Sequence, residues 1–153
     1  MKNNKGITLI MLTVIIVVLL ILAGITIPMG TSMIKNAEIQ SLNTNLLLIQ
    51  ARVEMISEKN SFDETPLKGT KVTQNTAAST LLTNVGITDN QDKYYIWTQM
   101  ELNEEHLSRI ELKQNEFYLV NYEDGEIVNS IGVECEGRTY YKLSDVKELK
   151  LED

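Results

Sequence analysis

The chain has 153 residues and a formal net charge of -7, which is enough for one small domain beside an apolar N-terminal segment. Its lysines and arginines are outnumbered and scattered, which excludes the basic patch of a nucleic-acid-binding protein. The one cysteine, Cys135, excludes an intramolecular disulfide framework. We expect Cys135 to be a half-buried strand residue rather than an intersubunit bridge or a lipid-attachment site.

The N-terminal segment is nearly all apolar. No charged side chain occurs between Lys5 and Lys35, a run of 29 residues, and residues 7–29 are mostly Ile, Leu, Val and Met. About 20 helical residues cross the roughly 30 Å hydrocarbon core of a bilayer, so the run predicts a transmembrane helix over residues 7–29. Because Lys2 and Lys5 precede it, we expect a single-pass membrane protein with a cytoplasmic N-terminus and the C-terminal domain outside.

A short motif opens this apolar run. In chain order its residues are Lys5, Gly6, Ile7, Thr8, Leu9 and Ile10. The motif resembles the prepilin processing site of type IV pilins and of type II secretion pseudopilins. The resemblance implies that a prepilin peptidase cuts between Gly6 and Ile7, and that Ile7 is then N-methylated.

Two further positions bear on the resemblance. Counted from Ile7, Pro28 is residue 22, where many type IV pilins carry a proline. Proline bends or loosens a helix because it lacks the N–H and clashes with the preceding turn. Met11 occupies the fifth place, where the family usually has a glutamate that is understood to neutralise the N-terminal amine of a neighbouring subunit. This departure favours a minor or divergent subunit over a standard major one.

The segment after Pro28 predicts a second, amphipathic part of the helix that ends near Asn60. Apolar residues recur there every three or four positions, namely Ile39, Leu42, Leu46, Ile49, Val53 and Ile56. We expect the end of this stripe to pack on the protein's own domain. The half nearer the membrane is expected to be covered by lipid or by other subunits.

The rest of the chain predicts a small domain of short elements. The expected helices are 77–84, 103–110 and 144–150, and the expected strands are 94–98, 117–122, 126–131, 133–135 and 138–143. Thr76, Asn103 and Ser144 are the predicted N-caps. Asp124 and Gly125 between two strand-like runs predict a β-hairpin.

These elements together predict an α+β fold in which a long N-terminal helix, transmembrane and then amphipathic, packs on a small antiparallel sheet, as in pilins. The predicted division is a prepilin leader at 1–6, the long helix at 7–60 and an outward-facing domain at 61–153. Within the helix, 7–29 is the transmembrane or filament-core part and 30–60 the amphipathic part.

No constellation of residues points to catalysis. His106 is the one histidine, and a zinc motif would need a second one a helical turn away. Asp89, Asn90 and Asp92 lack the spacing of a calcium loop. We therefore expect a solvated helix residue and a surface turn. No nucleophile elbow, P-loop or dinucleotide motif occurs, so the sequence predicts no catalytic residue, no metal, no cofactor and no enzyme.

The resemblance implies a structural subunit, major or minor, of a type IV pilus or a type II secretion-like filament at the cell surface. Its expected partners are the membrane, other pilin subunits and the prepilin peptidase, with no direct nucleic-acid binding. Adhesion, twitching motility, secretion and DNA uptake stay open. A second hypothesis is an uncleaved single-pass membrane protein with an extracytoplasmic binding domain, which Met11 favours and the Gly6–Ile7 junction and Pro28 disfavour.

Overall fold

A computed structural model describes the backbone of residues 5–149 and the side chains of residues 10–20 and 34–149. The chain divides into two compact units, Met1–Ala37 and Glu38–Asp153. Its helices are α1 (Lys5–Asp63), α2 (Thr76–Asn84), α3 (Gln99–Glu104) and α4 (Leu143–Glu148). Its strands are β1 (Thr70–Lys71), β2 (Tyr94–Trp97), β3 (Tyr118–Asn121), β4 (Ile127–Cys135) and β5 (Arg138–Lys142), and short 3-10 turns occupy Val72–Gln74 and Gln91–Lys93.

The predicted transmembrane part of the fold is wrong. Among the described residues, no helix is both long enough and apolar enough to cross a membrane. The continuous apolar surface described in the first unit covers residues 10–20. Where side chains are described again, α1 soon carries Lys35, Asn36 and Glu38. The transmembrane segment 7–29, and with it the pilin-like fold, is therefore not retained.

The second unit is an α+β domain built on one sheet. Five strands follow each other in the order β1-β2-β3-β4-β5, and every neighbouring pair is antiparallel. The α1 residues from Glu38 onward cover one face of this sheet, and α2 covers the other. The predicted hairpin at Asp124–Gly125, which joins β3 to β4, is confirmed, and β4 also pairs antiparallel with β5.

The apolar stripe of α1 forms the centre of the larger core, as its spacing predicts. Ile39, Leu46, Ile49 and Val53 are fully buried, and Ile56 is half-buried at the edge of the cluster. A residue every three or four positions returns to the same side of a helix, so one continuous ridge meets the sheet.

The strands of the sheet alternate between the two cores. In β3, Tyr118 and Val120 point to the α1 side, and Leu119 points to the α2 side. In β2, Trp97 joins the α1 core, and Ile96 joins the α2 core. This period of two is the geometry of a pleated strand with both faces covered.

The helix caps differ from the predicted ones. The N-cap of α2 is Asn75, whose side chain accepts a hydrogen bond from the Ala78 amide at 3.1 Å. Helix α3 begins four residues before the predicted Asn103, because Thr98 and Glu101 form a capping box. Helix α4 begins at Leu143 after Lys142, which makes no side-chain cap, so Ser144 lies inside the helix.

The segment between α1 and β1 is held to the sheet by hydrogen bonds around Trp97. The Tyr122 hydroxyl donates to the Lys68 carbonyl oxygen at 2.8 Å and accepts from Trp97 Nε1 at 3.1 Å. Gly69 follows with a φ of +93°, and a Cβ there would lie 2.5 Å from the Ile96 carbonyl oxygen. Glycine is therefore the residue that lets the chain enter β1 against β2 without displacing backbone.

We predict that the domain loses stability at alkaline pH. Burial raises the pKa of Tyr94 and of Tyr122 to about 12, from about 10 in an unfolded chain. A raised folded-state pKa gives stability that is complete below about pH 10 and is lost as the pH rises towards 12. The free energy of unfolding, measured in urea by far-ultraviolet circular dichroism, should fall across this window. The fall should be shallower in Tyr122→Phe, and equal slopes in the two proteins would contradict the assignment.

Candidate functional site

The predicted processing junction lies in α1. Its backbone from Lys5 through Gly6 and Ile7 is helical, and the side chains of residues 5–9 lie outside those described. Pro28 is also within α1, where the backbone is helical and the side chain lies outside the described set. Cleavage at Gly6–Ile7 and a bend at Pro28 therefore stay predictions.

The described part of the first unit presents an apolar helix surface in every direction. Each large apolar side chain at residues 10–20 is between 47% and 68% exposed. Eleven successive positions, each turned by about 100°, occupy the whole circumference of a helix. Exposed apolar patches beyond a few hundred Å² are rare on monomers and mark interaction surfaces. Residues 10–20 are therefore the candidate assembly surface of the chain.

Ile10 and Met11 begin this assembly surface, and both are 66% exposed. Met11 places a thioether where the resemblance implied a carboxylate. A thioether has no charge to offer an ammonium group, and it packs flexibly against irregular apolar surfaces. The N-terminal end of the assembly surface is therefore apolar rather than ionic.

A cleft in the second unit lies where α1, α3 and the segment before β1 meet. Its volume is about 470 Å³. The lining is Arg52, Met55, Ile56, Lys59, Thr65, Pro66, Lys68, Glu104 and Glu105. Arg52 Nε donates to Glu105 at 2.8 Å, and Lys68 Nζ donates to Glu104 at 3.0 Å. The hydrogen bond with Glu104 raises the pKa of the Lys68 ammonium. Two of the three cations thus neutralise carboxylates of the same cleft. These ion pairs connect α1 and the segment before β1 to the end of α3.

The residues considered for catalysis or metal binding lie in surface turns or in the core. His106 is exposed and occupies a left-handed turn after α3, with a φ of +61°, rather than the predicted helix. Asp92 lies in a 3-10 turn and Asp89 just before it. Cys135 is buried, with a free thiol. Within the described part of the chain, no three His, Cys, Asp or Glu side chains form a cluster that could hold a metal ion.

The sequence prediction missed a set of exposed apolar residues on the second-unit part of α1. Leu48, Met55 and Phe62 are 47%, 58% and 86% exposed. The signal was present, because these residues are spaced seven apart. It was overlooked because the stronger stripe on the opposite side accounts for the core.

Comparisons with family models, with curated proteins and with solved structures found no match for this chain.

We predict unequal contributions from the two ion pairs of the cleft. Arg52→Met leaves the Glu105 carboxylate, whose side chain is 10% exposed, without its partner and should lower the free energy of unfolding by roughly 1.5–3 kcal/mol. Lys68→Met is the matched control, because the Lys68–Glu104 pair is exposed to water, and it should cost clearly less than Arg52→Met. Urea unfolding followed by the fluorescence of Trp97 measures both. Equal losses would show that burial does not set the strength of these pairs.

Proposed function

We propose that the chain is a structural subunit, major or minor, of a filament of the type IV pilus or type II secretion kind. The observation that carries the proposal is the apolar helix surface at residues 10–20, exposed on all sides directly after the Gly6–Ile7 junction. An exposed apolar surface of this kind is stabilised when other apolar groups pack on it and exclude water. In the proposed filament, the same segment of other copies provides those groups.

Packing of the assembly surfaces would favour association of the subunits. Burying one Leu, Ile or Val side chain stabilises a complex by roughly 1.5–3 kcal/mol when it leaves water. Ten of the described positions in the assembly surface carry such residues or methionine. Their contribution must exceed the entropy lost when two bodies associate, which costs about 4–15 kcal/mol. Contacts along several neighbouring helices meet that requirement more easily than one pair of helices.

Met11 changes how the subunits recognise each other. A glutamate at this place would attract a neighbour's N-terminal ammonium group, and water-excluded ion pairs depend strongly on their geometry. With Met11, helix packing is left to shape and apolar area. This favours a subunit whose position in the filament is set by its neighbours or by the second unit.

The predicted processing can be tested by one substitution. In the proposed function, the protein recovered from its native cell starts at Ile7, with or without one added methyl group. Gly6→Ala should block the prepilin peptidase and leave the full-length chain, because the peptidase cuts after glycine in the family that the motif resembles. Intact mass spectrometry distinguishes these two products. An identical N-terminus in the two proteins would overturn processing at this bond.

The assembly surface can be tested separately from processing. Ile15→Asp puts a carboxylate where neighbouring helices pack, and an unpaired buried charge costs several kcal/mol. We expect loss of filaments, seen by electron microscopy of sheared cells, with unchanged unfolding of the second unit. Gln114→Asp, at an exposed position of that unit, is the matched control and should assemble normally. Filaments of normal abundance in Ile15→Asp would contradict the assignment of this surface.

A further inference from the structure

The second half of β4 has a strand on only one side. Strand β3 begins at Tyr118, which lies opposite Asn129 of β4. Residues 133–135 of β4 continue to pair with β5. On their other side, no strand occurs among the described residues. The β4–β5 hairpin therefore has a free edge along β4, in addition to the outer edge of β5.

The free edge of β4 exposes the backbone of Glu134. The hairpin turns at 136–137 with two positive φ angles, as in a type I′ turn. A hydrogen bond between Cys135 and Arg138 closes such a turn, and hydrogen-bonded and non-hydrogen-bonded pairs alternate along an antiparallel ladder. The next pair, Glu134 with Thr139, is therefore a non-hydrogen-bonded one. The N–H and C=O of Glu134 thus point away from β5, and no hydrogen bond joins them to another described residue.

A groove of about 290 Å³ lies along this free edge. Val133 and Glu134 both line it. Successive residues of a strand point to opposite faces of the sheet, so a groove that both residues line lies at the edge of the sheet rather than over one face. We call the cavity between 131–134 of β4, 38–45 of α1 and the segment 111–116 the edge groove. It occupies the place of a strand added beside β4.

Asn129 organises the bulged part of β4 at the edge groove. Its side chain accepts hydrogen bonds from the amides of Ile131 and Gly132 at 2.9 and 2.7 Å, and donates one to Glu116 at 2.7 Å. These bonds satisfy two backbone donors where the register between β4 and β5 shifts. The unpaired amide left along this edge is that of Glu134.

The edge groove is acidic. Four carboxylates line it, against the one ammonium group of Lys113. Glu116 accepts two hydrogen bonds from its own domain. Glu38, Glu111 and Glu134 are exposed, and none of them forms an ion pair within the described part of the chain. Three carboxylates are therefore available to a cationic occupant.

Apolar groups complete the lining of the edge groove. Leu42 and Tyr118 line it and are otherwise buried, and Ile131 lines it with 42% of its surface exposed. An apolar side chain that covers Ile131 gains by removing this surface from water. The groove thus combines an open backbone position, free carboxylates and an apolar wall.

We propose that the edge groove binds an extended, basic peptide segment of another protein, which adds to the five-stranded sheet beside β4. The backbone of the segment bonds to the N–H and C=O of Glu134. Its Lys or Arg side chains pair with Glu38, Glu111 and Glu134, and an apolar side chain between them covers Ile131. In strand addition, main-chain hydrogen bonds supply affinity and alternate side chains supply specificity. The edge groove lies wholly in the second unit, so this docking does not rest on the proposed filament.

A synthetic peptide tests the docking site. The probe is fluorescently labelled Lys-Val-Lys-Val-Lys with blocked ends, titrated with the full-length protein at low ionic strength and followed by fluorescence anisotropy. Glu134→Lys should weaken binding by about tenfold or more, because like charges then face each other. Glu58→Lys makes the same change in net charge at an exposed position of α1 outside the edge groove, and it should bind the probe as the unchanged protein does.

Two further peptides separate strand addition from ionic attraction. Replacing each lysine of the probe by glutamate should abolish binding. A fully N-methylated probe keeps its charges but donates no main-chain hydrogen bond, and it should bind about tenfold more weakly or worse. Equal binding of the N-methylated probe would overturn strand addition. No binding of the unmodified probe at millimolar concentration would overturn the site itself.

Hydrogen exchange, resolved to single amides by fragmentation mass spectrometry, locates the added strand. Saturating probe should slow exchange of the Glu134 amide by about tenfold or more, since that amide becomes hydrogen-bonded. The Thr139 amide is the matched control, because it points to the opposite edge of the same hairpin, and its exchange should not change. Protection of Thr139 instead of Glu134 would assign the peptide to β5. Protection of neither would show binding through side chains alone, and either result overturns the proposal.

Discussion

The packing of α1 against one face of the sheet is the constraint on which the second unit depends. Ile39, Leu46, Ile49 and Val53 are buried in one cluster with residues of β2, β3 and β4, in which Trp97 and Tyr118 are the largest fully buried side chains. Replacing one such Leu or Ile by Ala typically costs 2–5 kcal/mol, which is a large fraction of the stability of a small domain. Because α1 is fixed by this face, its opposite side is fixed as well. The exposed side chains of Leu48, Met55 and Phe62 are therefore positioned by the core of the domain.

The sequence correctly predicted elements that a regular spacing of residues specifies. It was less reliable for the start of a helix where two residues could each serve as the N-cap. The stripe from Ile39 to Val53 and the hairpin at Asp124–Gly125 follow from a period and from one turn dipeptide, and both were found. Helix α3 was misplaced because Asn103 and Thr98 are both good caps, and the choice between them was made by Glu101, which reaches back to the Thr98 amide at 2.7 Å. The Arg52–Glu105 pair joins positions 53 residues apart, and no local pattern could have revealed it.

The apolar N-terminal run shows a different limit of sequence reasoning. Its hydropathy alone predicted a membrane span, but no membrane-crossing helix is found among the described residues. Hydropathy measures how much a segment gains by leaving water, and helices of other copies can provide the same gain as lipid. The residues at the processing motif were named from a resemblance, and the cleavage that it implies would depend on a peptidase rather than on the fold of the chain itself.

The strand order also has a consequence for how the domain forms. Each of the five strands pairs with the strand next to it in sequence, so the sheet can grow by short steps. The docking of α1 is different, because Ile49 shares one core cluster with Ile127 and Leu143, which lie most of the domain sequence away. Contacts between distant parts of a chain form slowly, since loop closure costs entropy before the contact stabilises anything. During synthesis, however, α1 leaves the ribosome before any strand. Each hairpin therefore emerges beside a helix that is already present to cover it, which shortens the time that Trp97 and Tyr118 spend exposed to aggregation.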